Sequence, residues 1–299
     1  MRRSARVRRS GAGAAPGGPA LDRLLRTALR EDLGRGDITT QACLPAGLRT
    51  KARIRARRPC VACGLAVAAR VFKLVDPRIR FRMRGRDGRP ARPGATLAEL
   101  EGPAAGILAG ERVALNLLQH LSGIASRARR CTRTLAGTGT KLFDTRKTHP
   151  GLRDLEKYAV RCGGAANHRQ GLHDAILIKD NHVALAGGVG EALRRARRRF
   201  PRAPLAVEVD DLAQLRQAVE CRAELILLDN FPLPRLRRAV RLYGRQATLE
   251  ASGGIRPETL RRIARTGVGR ISMGALTHSV SWADIGLDID FPRPPRARR

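Results

Sequence analysis

Six short apolar runs in the second half of the chain are each followed at once by polar, charged or glycine residues. Leu142-Phe143 leads into Asp144-Thr145-Arg146-Lys147, the run 175–178 into Lys179, and 205–207 into Glu208. The run 225–228 reaches Asp229, Thr248-Leu249 leads to Ser252-Gly253-Gly254, and 271–273 to Gly274. His168 and Arg169 lie between the first two runs. Arginine grips a planar carboxylate with two parallel hydrogen bonds, whereas lysine acts as a compact point charge. Only six of the 59 basic residues are lysine, and Lys147, Lys157 and Lys179 fall in one short window. Where arginine is the default cation, those lysines mark places where an ammonium is required. Two carboxylates on successive runs, Glu208 and Asp229, in a basic setting suit Mg²⁺ shared with a phosphate ligand. Ser252 to Gly254, ahead of a helix expected to begin at Pro257, offers free backbone N–H groups for a phosphate. Each piece alone has a plainer reading: a turn, a helix cap, a structural histidine. The set gains force from recurring at strand after strand.

The elements that position these residues follow from the pattern. The apolar runs alternate with helical patterns at 154–162, 188–200, 211–221, 234–243 and 257–266. Such alternation predicts a parallel sheet covered by helices. Six closely spaced units suit a β/α barrel better than an open sheet, and 167–169 is expected to add a short seventh strand. In a parallel barrel all strand ends meet at one face, which hosts the active site. The first half reads differently. "LDRLLRTALRED" has helical leucine spacing, and "LGRGDITT" reads as a connection. "KARIRAR" and "IRFRMRGRDG" alternate as β-strands around a helix at 61–75. A helix is expected over 104–135, broken near Ser122-Gly123.

Composition bounds the rest. The chain has 299 residues, 42% hydrophobic and 3% aromatic, so its core is aliphatic. A net charge of +33 points to anionic ligands or nucleic acid. Much of that charge follows from a general preference for arginine, and the run 194–200 reads as one solvated helix face. Cys60-Val-Ala-Cys63 has zinc-like spacing but no second pair, so the six cysteines read as reduced residues of a cytoplasmic protein. No run is long enough to span a membrane. Residues 1–20 lack an apolar core of a secretory signal and read as a disordered basic tail, with a transit peptide as the alternative.

The stretch "DTRKTHPGLRDLEKYAVRCGGAANHRQGLHDAILIKDNHV" closely resembles the signature region of the quinolinate phosphoribosyltransferase family. "EDLGRGDITT", "GERVALNLLQHLSGIA", "LLDNF", "EASGGI" and "GALTHSV" extend the likeness from about Leu21 to Ile289. The resemblance implies a type II phosphoribosyltransferase fold in the α/β class. An N-terminal α/β sandwich domain over 21–135, completed by 280–296, would accompany an α/β barrel over 136–279. It implies a homodimer, with higher oligomers left open, in which Arg112 of one subunit enters the site of the other. It assigns substrate binding to Thr145, Arg146, Lys147, His168, Arg169, Lys179, Glu208 and Asp229. It assigns phosphate loops to Ser252-Gly253-Gly254 and Met273-Gly274-Ala275. Lys147, Lys179, Glu208 and Asp229 would carry the chemistry, with Mg²⁺ on the two acids. The implied reaction joins quinolinate to 5-phosphoribosyl-1-pyrophosphate, yielding nicotinate mononucleotide, pyrophosphate and CO₂ on the route to NAD. Two positions depart from the family pattern: Ala165 replaces a glycine, and Ala105 stands where an arginine is frequent. One rival is a molybdenum-associated relative, though such proteins tend to lose the lysine corresponding to Lys179. The other is a basic nucleic-acid-binding protein, which would lack any recognisable motif and the aromatics for stacking.

Overall fold

The computed structural model describes residues 13–289. Of the expected tail at 1–20, residues 1–12 lie outside the described residues, as do 290–296 of the segment expected to complete the first domain. Packing divides the chain into two compact units. One comprises the chain up to Arg127, Asp154–Gly163 and the stretch from Val280. The other comprises Ala128–Arg153 and Gly164–Ser279.

In the first unit α1 (Pro19–Leu33) buries Leu21, Leu25 and Leu29 on one face, at four-residue spacing. The expected connection over 33–40 ends early, at Asp37. There the carboxylate accepts the Thr40 N–H at 3.0 Å and caps α2 (Ile38–Cys43). The chain continues through β1 (Arg49–Ala56), β2 (Cys60–Val61), α3 (Leu65–Val75), β3 (Arg80–Met83), β4 (Pro90–Ala91), β5 (Thr96–Pro103) and α4 (Ala104–Thr134). The expected break in this last helix is absent: α4 runs unbroken for 31 residues. Ser122 and Gly123 serve contact instead. Ser122 Oγ accepts the Cys63 N–H at 3.0 Å. A Cβ on Gly123 would stand 2.4 Å from the Ser281 carbonyl oxygen, so glycine lets the returning chain cross the helix.

The second unit opens with β6 (Lys141–Phe143). After it comes α5 (Arg153–Cys162), most of which packs in the first unit. Then follow β7 (Ile176–Ile178), α6 (Asp180–Ala186), α7 (Val189–Arg199), β8 (Leu205–Val209), α8 (Leu212–Glu220), β9 (Leu225–Asp229), α9 (Leu233–Tyr243), β10 (Thr248–Ser252), α10 (Leu260–Ala264) and β11 (Arg270–Ser272). The last strand, β12 (Ile285–Ile289), pairs antiparallel with β1 in a four-stranded sheet of order β12-β1-β5-β3. The barrel strands are parallel, in the order β6-β11-β10-β9-β8-β7. The expected strand at 167–169 does not form. Ala166 alone makes a bridge, to Phe143, because the backbone after it turns to the Asp144 carboxylate rather than to a neighbouring strand.

Register gives the barrel strands two unlike faces. One presents Ile178, Val207, Val209, Ile226, Leu228, Leu249, Ala251 and Ile271, all buried. Burying each large aliphatic side chain there contributes about 1.5–3 kcal/mol. The other face presents Glu208, Leu227, Glu250 and Arg270 in one layer, with Asp229 and Ser252 in the next. The apolar runs thus alternate after all, and their polar members share one face. On α7, Arg194, Arg195 and 197–199 are exposed, as expected of a solvated helix face. No helix among the described residues is long and apolar enough to cross a membrane.

Candidate active site

Lys179 sits one residue beyond β7, in line with Glu208 on β8. Its Nζ donates to Glu208 Oε2 at 2.7 Å, with the two side chains 44% and 11% exposed. A helix begins directly behind the lysine, so the chain must leave the sheet at this point. Asp229 ends β9 in register with Ser252 on β10. Its carboxylate accepts the Ser252 hydroxyl at 3.0 Å and the Asn230 side-chain amide at 2.7 Å. Asn230 holds a left-handed backbone, φ 51°. Gly253, φ 82°, lies so close that a Cβ would fall 2.3 Å from Asn230 Oδ1. Only glycine fits that position, and Ser252-Gly253-Gly254 therefore makes a tight polar bend beside Asp229.

The anchor of the opposite wall is Asp144, fully buried at the end of β6. Its carboxylate accepts the His168 N–H and the Asn167 side-chain amide, both at 2.7 Å. The His168 ring then turns back: Nδ1 accepts the Arg169 N–H at 2.8 Å. Arg169 Nη1 donates to the Ala175 carbonyl at 3.0 Å. Burial, and then the neighbouring charge of Arg146, lower the Arg169 pKa, while the Asp174 carboxylate pulls the other way. Arg146 Nε is buried with no hydrogen-bond partner among the described residues. A cation so placed fits an incoming carboxylate. The loop carrying it is tied by Arg153, which donates to Thr148 Oγ1 at 3.0 Å and to the Gln170 carbonyl at 3.1 Å. Lys147 is exposed beside Thr145, whose hydroxyl accepts the Lys147 N–H at 3.1 Å.

The glycine loops need one correction. The helix expected from Pro257 begins at Leu260, because Pro257 lies in a turn where the Thr259 N–H bonds to the Arg256 carbonyl at 3.1 Å. In the Met273-Gly274-Ala275 loop, Met273 is buried and its N–H is already taken by the Phe143 carbonyl at 3.0 Å. Gly274 instead allows close approach, since a Cβ there would stand 2.9 Å from Lys147 Cδ. Ala165 carries no strain: the positive φ falls on Gly164, and Ala165 is absent from the left-handed region. Arg112 is exposed on α4, in the first unit. Lys157, one of the three clustered lysines, is buried in α5 of that unit.

Sequence reasoning missed Asp144 as an anchor and did not single out Glu250 or Arg270. Glu250 is fully buried, two residues before Ser252 and on the same face. Its Oε2 lies 2.7 Å from Arg270 Nε, whose guanidinium stacks 3.7 Å over the Phe143 ring. Period-two counting back from Ser252 was the available signal.

Cations and acids gathered at the strand ends of an α/β barrel define a protein that binds multiply charged small anions. Models of the quinolinate phosphoribosyl transferase N-terminal and C-terminal domains match residues 37–122 and 124–288. The chain belongs to the quinolinate phosphoribosyltransferase family. It is 46% identical over 273 residues to the nicotinate-nucleotide pyrophosphorylase (carboxylating) of Mycobacterium leprae, covering 89% of this chain and 95% of that one. Identity to a probable enzyme of the same name from Bacillus subtilis is 43% over 270 residues, covering 90% and 93%. The solved nicotinate-nucleotide pyrophosphorylase of Francisella tularensis superposes with a TM-score of 0.88 at 38% identity, covering 92% of this chain and 98% of that chain.

Proposed function

We propose that this chain transfers the phosphoribosyl group of 5-phosphoribosyl-1-pyrophosphate to quinolinate, with loss of CO₂. The products are nicotinate mononucleotide and pyrophosphate, and the place is de novo NAD biosynthesis in the cytoplasm. One observation carries the reading beyond family membership: Arg146 and Lys179 follow the ends of β6 and β7, at the same edge of the parallel sheet as Glu208 and Asp229, and Arg169 lies beside Arg146. The substrates together bring about seven negative charges at neutral pH, which such a set can balance.

The pyridine nitrogen attacks the anomeric carbon as the bond to pyrophosphate breaks, through an oxocarbenium-like state. No protein nucleophile is required. The ring nitrogen, now positive, stabilises the electron pair left when the adjacent carboxylate departs as CO₂, and a proton then takes that position. Arg146 and Arg169 hold the two carboxylates by paired hydrogen bonds. Lys179 supplies a point charge, and Lys147 and Thr145 border the phosphates. The bend at 252–254 receives the phosphate of the ribosyl unit. Glu208 and Asp229 offer the hard oxygen donors that suit Mg²⁺ completed by phosphates. Once bound, Mg²⁺ would neutralise charge on the departing pyrophosphate. The chain acts as a homodimer in which Arg112 of one subunit completes the site of the other.

The test is direct. Protein mixed with quinolinate, phosphoribosyl pyrophosphate and Mg²⁺ should release CO₂ and nicotinate mononucleotide. Nicotinate, lacking the second carboxylate, leaves a cation unpaired and should be a poor substrate. Equal turnover of both acids would sink the assignment.

A further inference from the structure

Behind the arginine wall lies a buried charged group that the proposed reaction does not use. Glu250 sits in the middle of β10 with its carboxylate fully enclosed. Oε2 meets Arg270 Nε at 2.7 Å, and Arg270 is pinned in turn over Phe143. The other oxygen, Oε1, lies 3.6 Å from His168 Nε2, longer than a hydrogen bond and close enough to be its nearest acid. That nitrogen is itself buried. The other ring nitrogen, Nδ1, accepts the Arg169 N–H at 2.8 Å. An acceptor at Nδ1 requires the ring proton on Nε2, the side that faces the carboxylate. The backbone of His168 is held from a third direction by Asp144.

Resting on the function proposed above, we infer that Glu250 is a positioning residue and that His168 serves Arg169 rather than the substrate. The Arg169 N–H sets the tautomer, and Glu250, facing Nε2, orients the imidazole. The imidazole fixes the Arg169 peptide through Nδ1. That peptide sets the guanidinium, braced on the Ala175 carbonyl, at the angle where it meets a carboxylate. Neither ring nitrogen is then left to touch the ligand. A chain of three contacts carries rigidity from a buried strand to a pocket-lining cation, in the manner by which outer groups orient inner ones at precise sites.

Asparagine and glutamine substitutions separate the two ring nitrogens. His168→Asn keeps an acceptor near Nδ1 and removes Nε2. His168→Gln keeps a polar group near Nε2 and removes the Nδ1 acceptor. Dissociation constants for quinolinate, KM for each substrate and melting temperature are to be measured for both variants and for Glu250→Gln. The expected result is that His168→Gln and Glu250→Gln weaken quinolinate about tenfold or more, while KM for phosphoribosyl pyrophosphate stays within about twofold. His168→Asn should retain most of the affinity that His168→Gln loses. The reverse order, glutamine rescuing and asparagine failing, would make the ring a direct ligand and overturn the inference. Equal losses for both substrates, or a lower melting temperature with unchanged quinolinate binding, would reduce Glu250 to a structural acid and overturn it too. If Glu250→Gln does not fold, the two His168 variants decide alone. The unaltered protein is assayed alongside. Its failure to make nicotinate mononucleotide would count against the proposed reaction, whereas the order of the variants in quinolinate binding speaks only to positioning.

Discussion

The four-stranded sheet of the first unit and the barrel of the second both put charged residues on one face of a sheet, and they treat them in opposite ways. On the four-stranded sheet the charges are matched across strands. Arg53 and Arg82 flank Glu99, and Lys51 and Arg80 flank Glu101. Asp288 on β12 takes Arg57 Nη1 at 3.0 Å. These groups are exposed or half-exposed, water screens them, and each pair adds little to stability. In the barrel several charges are sheltered, and not all are matched. Arg146 Nε has no hydrogen-bond partner among the described residues, Arg169 is pressed by Arg146, and Glu250 is enclosed. Matched charges on a surface keep a protein in solution. Unmatched charges under shelter are a stored capacity to bind something of the opposite sign.

The largest effect that could break this comparison is expected at Lys179. Lys179→Ala removes the 2.7 Å partner of Glu208 and one cation from the pocket. Turnover should fall by about a hundredfold or more with the circular-dichroism spectrum unchanged. Near-normal activity would mean that the strand ends are no more functional than the exposed sheet. Lys179→Arg should fail as well, because a planar fork does not replace a compact ammonium.

A sharper division of labour is tested at Arg112. Arg112→Ala and Lys179→Ala proteins should each be inactive as homodimers. After subunit exchange, half the dimers are mixed, and each has one intact pocket, so about a quarter of all sites should recover. With exchange verified by mass spectrometry, no recovery would remove Arg112 from the partner's site.

The smallest effect concerns pH, where the two regions should respond with opposite sign. Hydrogen bonding to Arg57 holds the Asp288 carboxyl below its ordinary value of 3.8. Its contribution is therefore present above that pH and fades as pH falls through the lowered value. Burial pushes the Glu250 carboxyl above its ordinary 4.5, against the pull of Arg270 and Ser272. Ionising it in the fold is harder than in the unfolded chain, so its contribution worsens as pH rises from 4.5 through the raised value. Melting curves of Asp288→Asn and Glu250→Gln across pH 3 to 8 check this. The difference from the parent should shrink toward acid for Asp288→Asn, and should move in favour of Glu250→Gln as pH rises. Parallel curves would show that the two faces shelter their charges alike.

Sequence alone determined the parallel barrel, the placing of Arg146 and Lys179 just beyond strands and of Glu208 and Asp229 at the ends of theirs, and the family. Periodicity and a run's final residue are local properties, written in consecutive positions, and a parallel barrel brings all its strand ends together whatever its details. Only the tertiary structure decided the rest. Gly123 in α4 looked like a break until the crossing chain at Ser281 gave it a different purpose. Pro257 looked like a helix start until Thr259 closed a turn first. Glu250 went unremarked, because nothing near it in sequence shows that Arg270 and the ring of His168 lie against it. Those partners stand 20 and 82 positions away, and a contact over such a span exists only once the sheet has curled and set its register.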